Sequence, residues 1–305
     1  MLRSTILSPP QRHTASRSPS APHPEQGPQL PWPSALLSAA LLLLSSCAGW
    51  SPIPDRPKLA IEAIGAMLTP AGTASMQTPS ALGPVNQPEV GLPEHLNLTD
   101  RQFGYGGDLS YGDDFAGISF GFFSWEQGNV STKGILPYGF GRLAQGDEVQ
   151  SVGEWQLYRL AWRVPVFETS FDVKSRTKLD LRLAAGLSLQ HTEFRLRSEA
   201  QNAKRDNYIK IKDDYGFPLL SLRAEGEIQP LKLRLDLSVF DGKFDDIEGS
   251  ILDASVTLHY QIQRGLSAWA GYWLYRLPAA GNQEKLGYSM DLELDGYLLG
   301  LRWEF

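Results

Sequence analysis

The sequence is poor in the residues that mark most metal and nucleophile chemistry. It has a single cysteine, Cys47, so no intrachain disulfide can support the fold. Its five histidines are scattered, and two of them, His13 and His23, fall in a Pro- and Ser-rich opening stretch. Long apolar runs are missing as well: the longest, Ala35 to Leu44, is about half of the roughly 20 residues that a spanning helix needs. The formal charge of −6 gives no basic excess of the kind that nucleic acid attracts. Asp241, Asp245, Asp246 and Glu248 cluster in sequence but lack the spacing of a calcium loop, so they read as solvated loop charge. Neither a metal nor a cofactor is expected, and no surface ligand is named by these residues.

What the chain has instead is period-2 alternation, the spacing at which successive side chains leave opposite faces of a strand. Over 178–190, Leu179, Leu181, Leu183, Ala185, Leu187 and Leu189 point one way, with Lys178, Asp180, Arg182, Ser188 and Gln190 opposite. The stretches 219–228, 230–240 and 251–262 follow the same rule, and less regular segments run over 59–68, 102–111, 115–126, 154–165, 265–276 and 289–305. In the last segment, Leu292 and Leu294 sit on even numbers while Leu299 and Leu301 sit on odd ones. A bulge at Gly296 is the expected cause. Segment 265–276 carries Trp269 and Trp273 on one face and Tyr272 on the other, which leaves its orientation open.

The links alternate in length. Gly112-Asp113-Asp114, Gln229-Pro230 and Arg264-Gly265 are tight, while 69–101, 127–151, 196–214, 242–249 and 277–288 are longer and polar. The link near 166–177 breaks the pattern. The first long loop holds Pro79, Pro84, Pro88 and Pro93 among small residues, a composition that predicts mobility.

Residues 1–47 read as a disordered extension followed by an export signal whose apolar centre is Ala35 to Leu44. The sequence Leu44-Ser45-Ser46-Cys47 resembles the lipobox of bacterial lipoproteins, which implies lipidation of Cys47. Cleavage after Ala48, with small side chains at Ser46 and Ala48, is the competing reading. Removing 1–47 leaves 25 cations and 33 anions, a formal charge of −8. A Pro-rich spacer, 48–57, leads into the alternating region, 58–305.

The chain ends on Tyr297, Leu299, Gly300, Leu301, Trp303 and Phe305, with every apolar member on one strand face and the terminal residue aromatic. This ending resembles the assembly signal of bacterial outer-membrane β-barrels. The resemblance implies an up-and-down antiparallel transmembrane barrel, with the outer membrane and its lipid as surroundings and the barrel-assembly machinery as reader of the last strand. The segment count predicts ten strands, with eight as the alternative. Tight periplasmic turns and long outer loops belong to that class, and Tyr158, Trp162, Tyr260, Tyr272, Trp303 and Phe305 lie where membrane girdles place aromatics. A soluble antiparallel barrel or sandwich is the competing architecture.

If leucines face lipid, the opposite faces fill the lumen. The inward ionisable groups are then Arg159, Arg163, Lys178, Arg182, Arg223, Lys232 and Arg234 against Glu62, Asp108, Asp180, Glu225, Glu227, Asp236 and Asp253, with His259 among them. Such charges must be paired, because an unpaired charge is costly away from water. The first expectation is a salt-bridged interior with a structural or surface-interaction role; a small-solute or lipid-handling pore is the alternative. A lipid-modifying enzyme or protease comes third. His259 shares a face with Ser255, but four strand residues span roughly 13 Å, too far for a dyad. His191, followed by Thr192 and Glu193, lies toward the outer end of its strand and matches no catalytic motif.

A barrel of this kind migrates as a compact species in detergent gels until boiled. Unboiled membrane fractions should therefore show a band that shifts on heating, and recovery of the protein from the soluble periplasm without such a shift would remove the barrel.

Overall fold

A computed structural model describes residues 57–78, 85–99, 101–113, 115–127, 133–174, 177–201, 208–244, 247–283 and 286–305. Cys47 and almost all of the spacer lie outside these residues, as do Pro79, Pro84, Asp245 and Asp246. Ten long strands form: β1 (Lys58–Thr78), β2 (Gln102–Gly112), β3 (Gly117–Gln127), β4 (Glu148–Lys174), β5 (Thr177–Ala200), β6 (Tyr208–Ile228), β7 (Leu231–Phe244), β8 (Ile247–Gln263), β9 (Leu266–Gln283) and β10 (Leu286–Glu304). Each pairs antiparallel with its neighbours in sequence, and β10 pairs with β1 from Ala60↔Glu304 to Met76↔Tyr288, which closes the ring. Closure settles ten against eight.

The strands are this long because alternation persists well past the segments that sequence marks. β4 covers 27 residues and β5 covers 24, absorbing the ends of the expected loops 127–151 and 196–214 that adjoin them. The link near 166–177 is also strand over its described part: β4 runs on to Lys174, passing a register shift between Pro165 and Phe167, and Lys174 pairs with Thr177 of β5. At that same end lie the turns after β2, β6 and β8, together with both ends of the barrel domain, Lys58 and Phe305. Gly265 supplies the positive φ, 79°, that the β8–β9 turn requires.

The outer face is apolar. Leu187, Leu189, Leu233, Leu235, Leu258, Leu299, Leu301 and Trp303 are all among the exposed large hydrophobic residues, with Leu299 at 64% and Leu235 at 48%. Charged side chains occupy the inside of the same strands. A soluble barrel has the reverse polarity, so this inversion identifies a membrane-spanning barrel. At the upper edge Tyr105, Phe122, Tyr158 and His191 form a continuous row across β2 to β5, with centroid separations of 6.4, 5.3 and 6.1 Å.

No bulge occurs at Gly296. The β10 register runs unbroken against both β1 and β9, and the apparent phase slip has another cause. Even-numbered β10 residues face inward throughout, and above Gly296 that inner face turns apolar: Met290, Leu292 and Leu294 are buried. β9 is oriented in the same manner, with Trp269, Trp273 and Tyr275 inside and Tyr272 outside. Gly300 has a packing reason as well, because the Trp269 indole lies over it, 2.3 Å from where a Cβ would stand.

The first long loop is packed over its described part. Val90–Gly91 pairs with β1, Gly134–Ile135 pairs with β4, and Gly141 N–H donates to Gln87 Oε1 at 2.6 Å. Leu92, Leu96, Leu98, Leu136, Phe140 and Leu143 from these two loops are buried over the upper barrel mouth.

The ladder is incomplete only high in the wall. Pairing of β6 with β7 stops at Leu220↔Val239, and pairing of β8 with β9 stops at Leu252↔Arg276. Pro218, which has no N–H to give, lies just beyond the first of these limits. There β6 meets β10 through side chains: Tyr288 donates to Asp213, and Tyr215 donates to the Tyr288 oxygen at 2.6 Å. Burial, then the bonds to Asp213 and Tyr215, hold the Tyr288 hydroxyl well above its ordinary titration range, so it stays a donor.

Leu235 sits mid-strand on the outer face between Ala224 and Val256. Leu235→Arg should cost about 2–4 kcal/mol in a bilayer-embedded barrel. Urea unfolding in lipid vesicles checks this; a change below about 0.5 kcal/mol, ordinary for a solvated surface, would contradict a lipid-facing Leu235.

Candidate functional site

The lumen concentrates buried ionisable groups. Alternation sends them there, and ring closure brings strands distant in sequence within reach. Glu225 lies at the centre of the lower layer, taking Arg234 Nε at 2.5 Å and Arg182 Nη2 at 2.8 Å. Arg182 also stacks over Phe115 at 4.7 Å and approaches Glu227, which pairs with Lys232 at 3.4 Å. Asp236 takes Arg223 Nε at 2.7 Å and Arg163 Nη2 at 3.7 Å, and Arg163 Nε donates to Ser221 at 2.9 Å. Asp253 accepts from Gln190 at 2.7 Å, Trp273 Nε1 at 2.8 Å and Arg159 at 3.5 Å. Arg159 faces Asp108 at 3.9 Å.

Two members escaped the sequence reading. Arg302 is buried, pairing with Glu62 at 3.2 Å and with Glu304 at 3.2 Å. Both Arg302 and Glu304 hold even positions in a strand whose odd positions face out, which was the available signal. Two expected members stand apart. Lys178 is exposed at the lower end of β5, and Asp180, at the lumen mouth, accepts from Ser170 at 2.5 Å. With these exchanges the network holds seven cations, Arg159, Arg163, Arg182, Arg223, Lys232, Arg234 and Arg302, and seven anions, Glu62, Asp108, Glu225, Glu227, Asp236, Asp253 and Glu304.

The two candidate histidines lie apart in function and place. His259 is buried in the lumen, bonded to Thr257 Oγ1 at 3.0 Å and stacked near Trp269 at 5.7 Å. Ser255 is neither bonded to it nor close enough along the strand. His191 is on the outer face, 3.8 Å from Glu193 and beside Tyr158. Neither imidazole addresses a hydroxyl nucleophile with an orienting carboxylate behind it, the arrangement that acyl transfer needs.

Arg234, His259 and Arg302 form a septum. Below it a polar vestibule of about 470 Å³ opens between Lys58, Asp180, Glu227 and Glu304. On its other side a chamber of about 110 Å³, lined by Asp108, Arg159, Arg163, Asp236 and Trp269, reaches from Phe115 in the β2–β3 turn up to Phe123 and Trp273. Over the chamber the interior turns apolar. Phe123, Trp155, Trp273 and Tyr275 interlock with ring centroids 4.7 to 6.1 Å apart, within the range for favourable edge and tilted contacts. This aromatic layer, absent from the expected all-charged lumen, merges upward with Leu196, Ile209, Ile211 and Leu292 and with the buried loop residues.

No protein-family model and no curated protein matches the chain. Solved structures of similar outline include the outer membrane protease OmpT from Escherichia coli, 11% identical over 86% of this chain and 100% of that one, with a TM-score of 0.38. A Pseudomonas aeruginosa FadL homologue is 11% identical over 82% of this chain and 90% of its own, TM-score 0.29. Ail, the attachment invasion locus protein of Yersinia pestis, is 7% identical over 79% and 98%, TM-score 0.23. All are bacterial outer-membrane proteins. At these values the likeness does not extend to an activity.

Glu225→Gln should leave Arg182 and Arg234 facing each other without their shared anion, at a cost of about 3–5 kcal/mol, whereas replacing the whole triad, Glu225→Leu with Arg182→Met and Arg234→Met, should cost much less. Lys178→Gln should be near neutral. Equilibrium unfolding of the three variants in lipid checks the order; equal losses would contradict a coupled network.

Proposed function

We propose that this chain is an outer-membrane β-barrel that works as a closed, rigid platform, with its lumen serving stability and its long outer strands and packed loops serving surface interaction. The observation that carries this reading is the layered filling of the interior: the Arg234–His259–Arg302 septum, the aromatic layer beyond the chamber, and the loop residues Leu96 and Phe140 packed over the mouth. A barrel of this strand number has room for side chains but little for an aqueous path. Ion pairs in such a space fix register, because a one-residue slip would turn each charge toward lipid. In this reading residues 1–47 are removed on export, Cys47 is the lipidation candidate, and the strand ending at Phe305 is read by the assembly machinery. The face bearing Tyr297, Leu299, Leu301, Trp303 and Phe305 supports that last point, since all five side chains are exposed on the outer surface.

A second reading, handling of a small polar solute from the periplasmic side, is favoured by the vestibule of about 470 Å³. The two readings differ in conductance. The purified barrel in planar bilayers should give no stepwise current, whereas reproducible unitary steps would overturn the closed platform and favour solute passage.

A further inference from the structure

The outer surface of β5 and β6 above the aromatic row carries a pattern that neither stability nor the closed lumen explains. Arg195 stands directly opposite Lys212, and Arg197 directly opposite Lys210. Like charges set opposite on paired strands repel. The arginines have local carboxylates: Arg195 meets Glu154 at 3.1 Å and Glu193 at 3.5 Å, and Arg197 meets Glu199 at 3.2 Å while lying over the Tyr208 ring at 5.7 Å. Lys210 and Lys212 are exposed and have no ion pair or hydrogen bond among the described residues.

Height gives these lysines their meaning. Directly below Arg195 on β5, His191 belongs to the aromatic row with Tyr158, and below that Leu189 and Leu187 enter the apolar band. Four strand residues separate His191 from Arg195, roughly 13 Å along a tilted strand, which puts the basic pairs at the level of lipid headgroups. On β6 the residue paired with His191 is Gly216, and a side chain there would meet nothing within 4 Å. The wall is therefore notched beneath the cations, next to the stretch where β6 has already parted from β7.

We infer that this surface is a seat for a phosphorylated lipid of the surrounding leaflet, with the phosphate between Lys210, Lys212 and the opposed arginines and an acyl chain lying in the notch at Gly216. An anion between the opposed cations turns their repulsion into attraction, and an apolar chain against Gly216 and Leu189 covers surface that β7 leaves open. Glu193 and Asp214, opposite each other one pair lower, bound the phosphate position from below.

The inference rests on the membrane reading, and the experiment keeps the two apart. The refolded full barrel in a zwitterionic detergent is titrated with diphosphorylated lipid A and with its dephosphorylated form, and bound lipid is counted by native mass spectrometry. The phosphorylated form should bind. Lys210→Gln with Lys212→Gln should weaken it roughly tenfold, Gly216→Leu should weaken it through the notch, and Lys178→Gln should leave it unchanged. Equal binding of the two lipids, or equal binding by the double variant and the parent, overturns the seat while the heat-dependent gel shift of the same samples is retained. Loss of that shift in the parent barrel would instead remove the membrane reading on which the seat depends.

Discussion

A strand in hydrocarbon has no water to satisfy its N–H and C=O groups, so a sheet that crosses a membrane must close on itself. The pairing of β1 with β10 does this here, and much else follows from it. Closure of consecutive hairpins with both ends on one side requires an even strand number, which the ring of ten meets. It also explains where the ladder is allowed to fail. Through the apolar band every strand is paired on both sides; β6 parts from β7 only beyond Leu220↔Val239, near and above the aromatic row, where water and side chains such as Asp213, Tyr215 and Tyr288 can take over.

The second consequence is the inverted polarity of the wall, which leaves a narrow interior to be filled by whatever faces inward. The lower half is filled by charge, balanced pair by pair across strands that are remote in sequence. The upper half is filled by rings and aliphatic chains. The change falls within single strands: on β10, Arg302 and Glu304 lie below, Leu298 and Gly300 at the transition, and Leu292 and Leu294 above. A charged interior fixes which face of each strand turns inward, and the rings above it fill the space between strands by packing alone.

Much of this architecture was legible in the chain. Alternation marked all ten strands, and the face bearing Leu231, Leu233, Leu235 and Leu237 did turn outward. Strand ends were read too short, because outside the bilayer the alternation continues with less contrast and resembles a polar loop. The shift from Leu292 to Leu299 looked like a bulge because an apolar side chain was assumed always to face lipid. That assumption fails wherever the interior is also apolar, and periodicity carries no label for which face is in. The same ambiguity hid the inward placement of Trp269 and Trp273.

The sequence by itself determined the local order: where the backbone alternates, which residues share a face, and that a single cysteine leaves no intrachain disulfide. These are properties of neighbours along the strand, fixed by the two-residue repeat. Tertiary structure alone decided which charges meet, that Arg302 belongs with Glu62, that Trp269 covers Gly300, and that Leu96 and Phe140 join the same buried cluster as the barrel interior. Those contacts join positions far apart in the chain, and their geometry exists only once the ring has closed and the register between β1 and β10 is set.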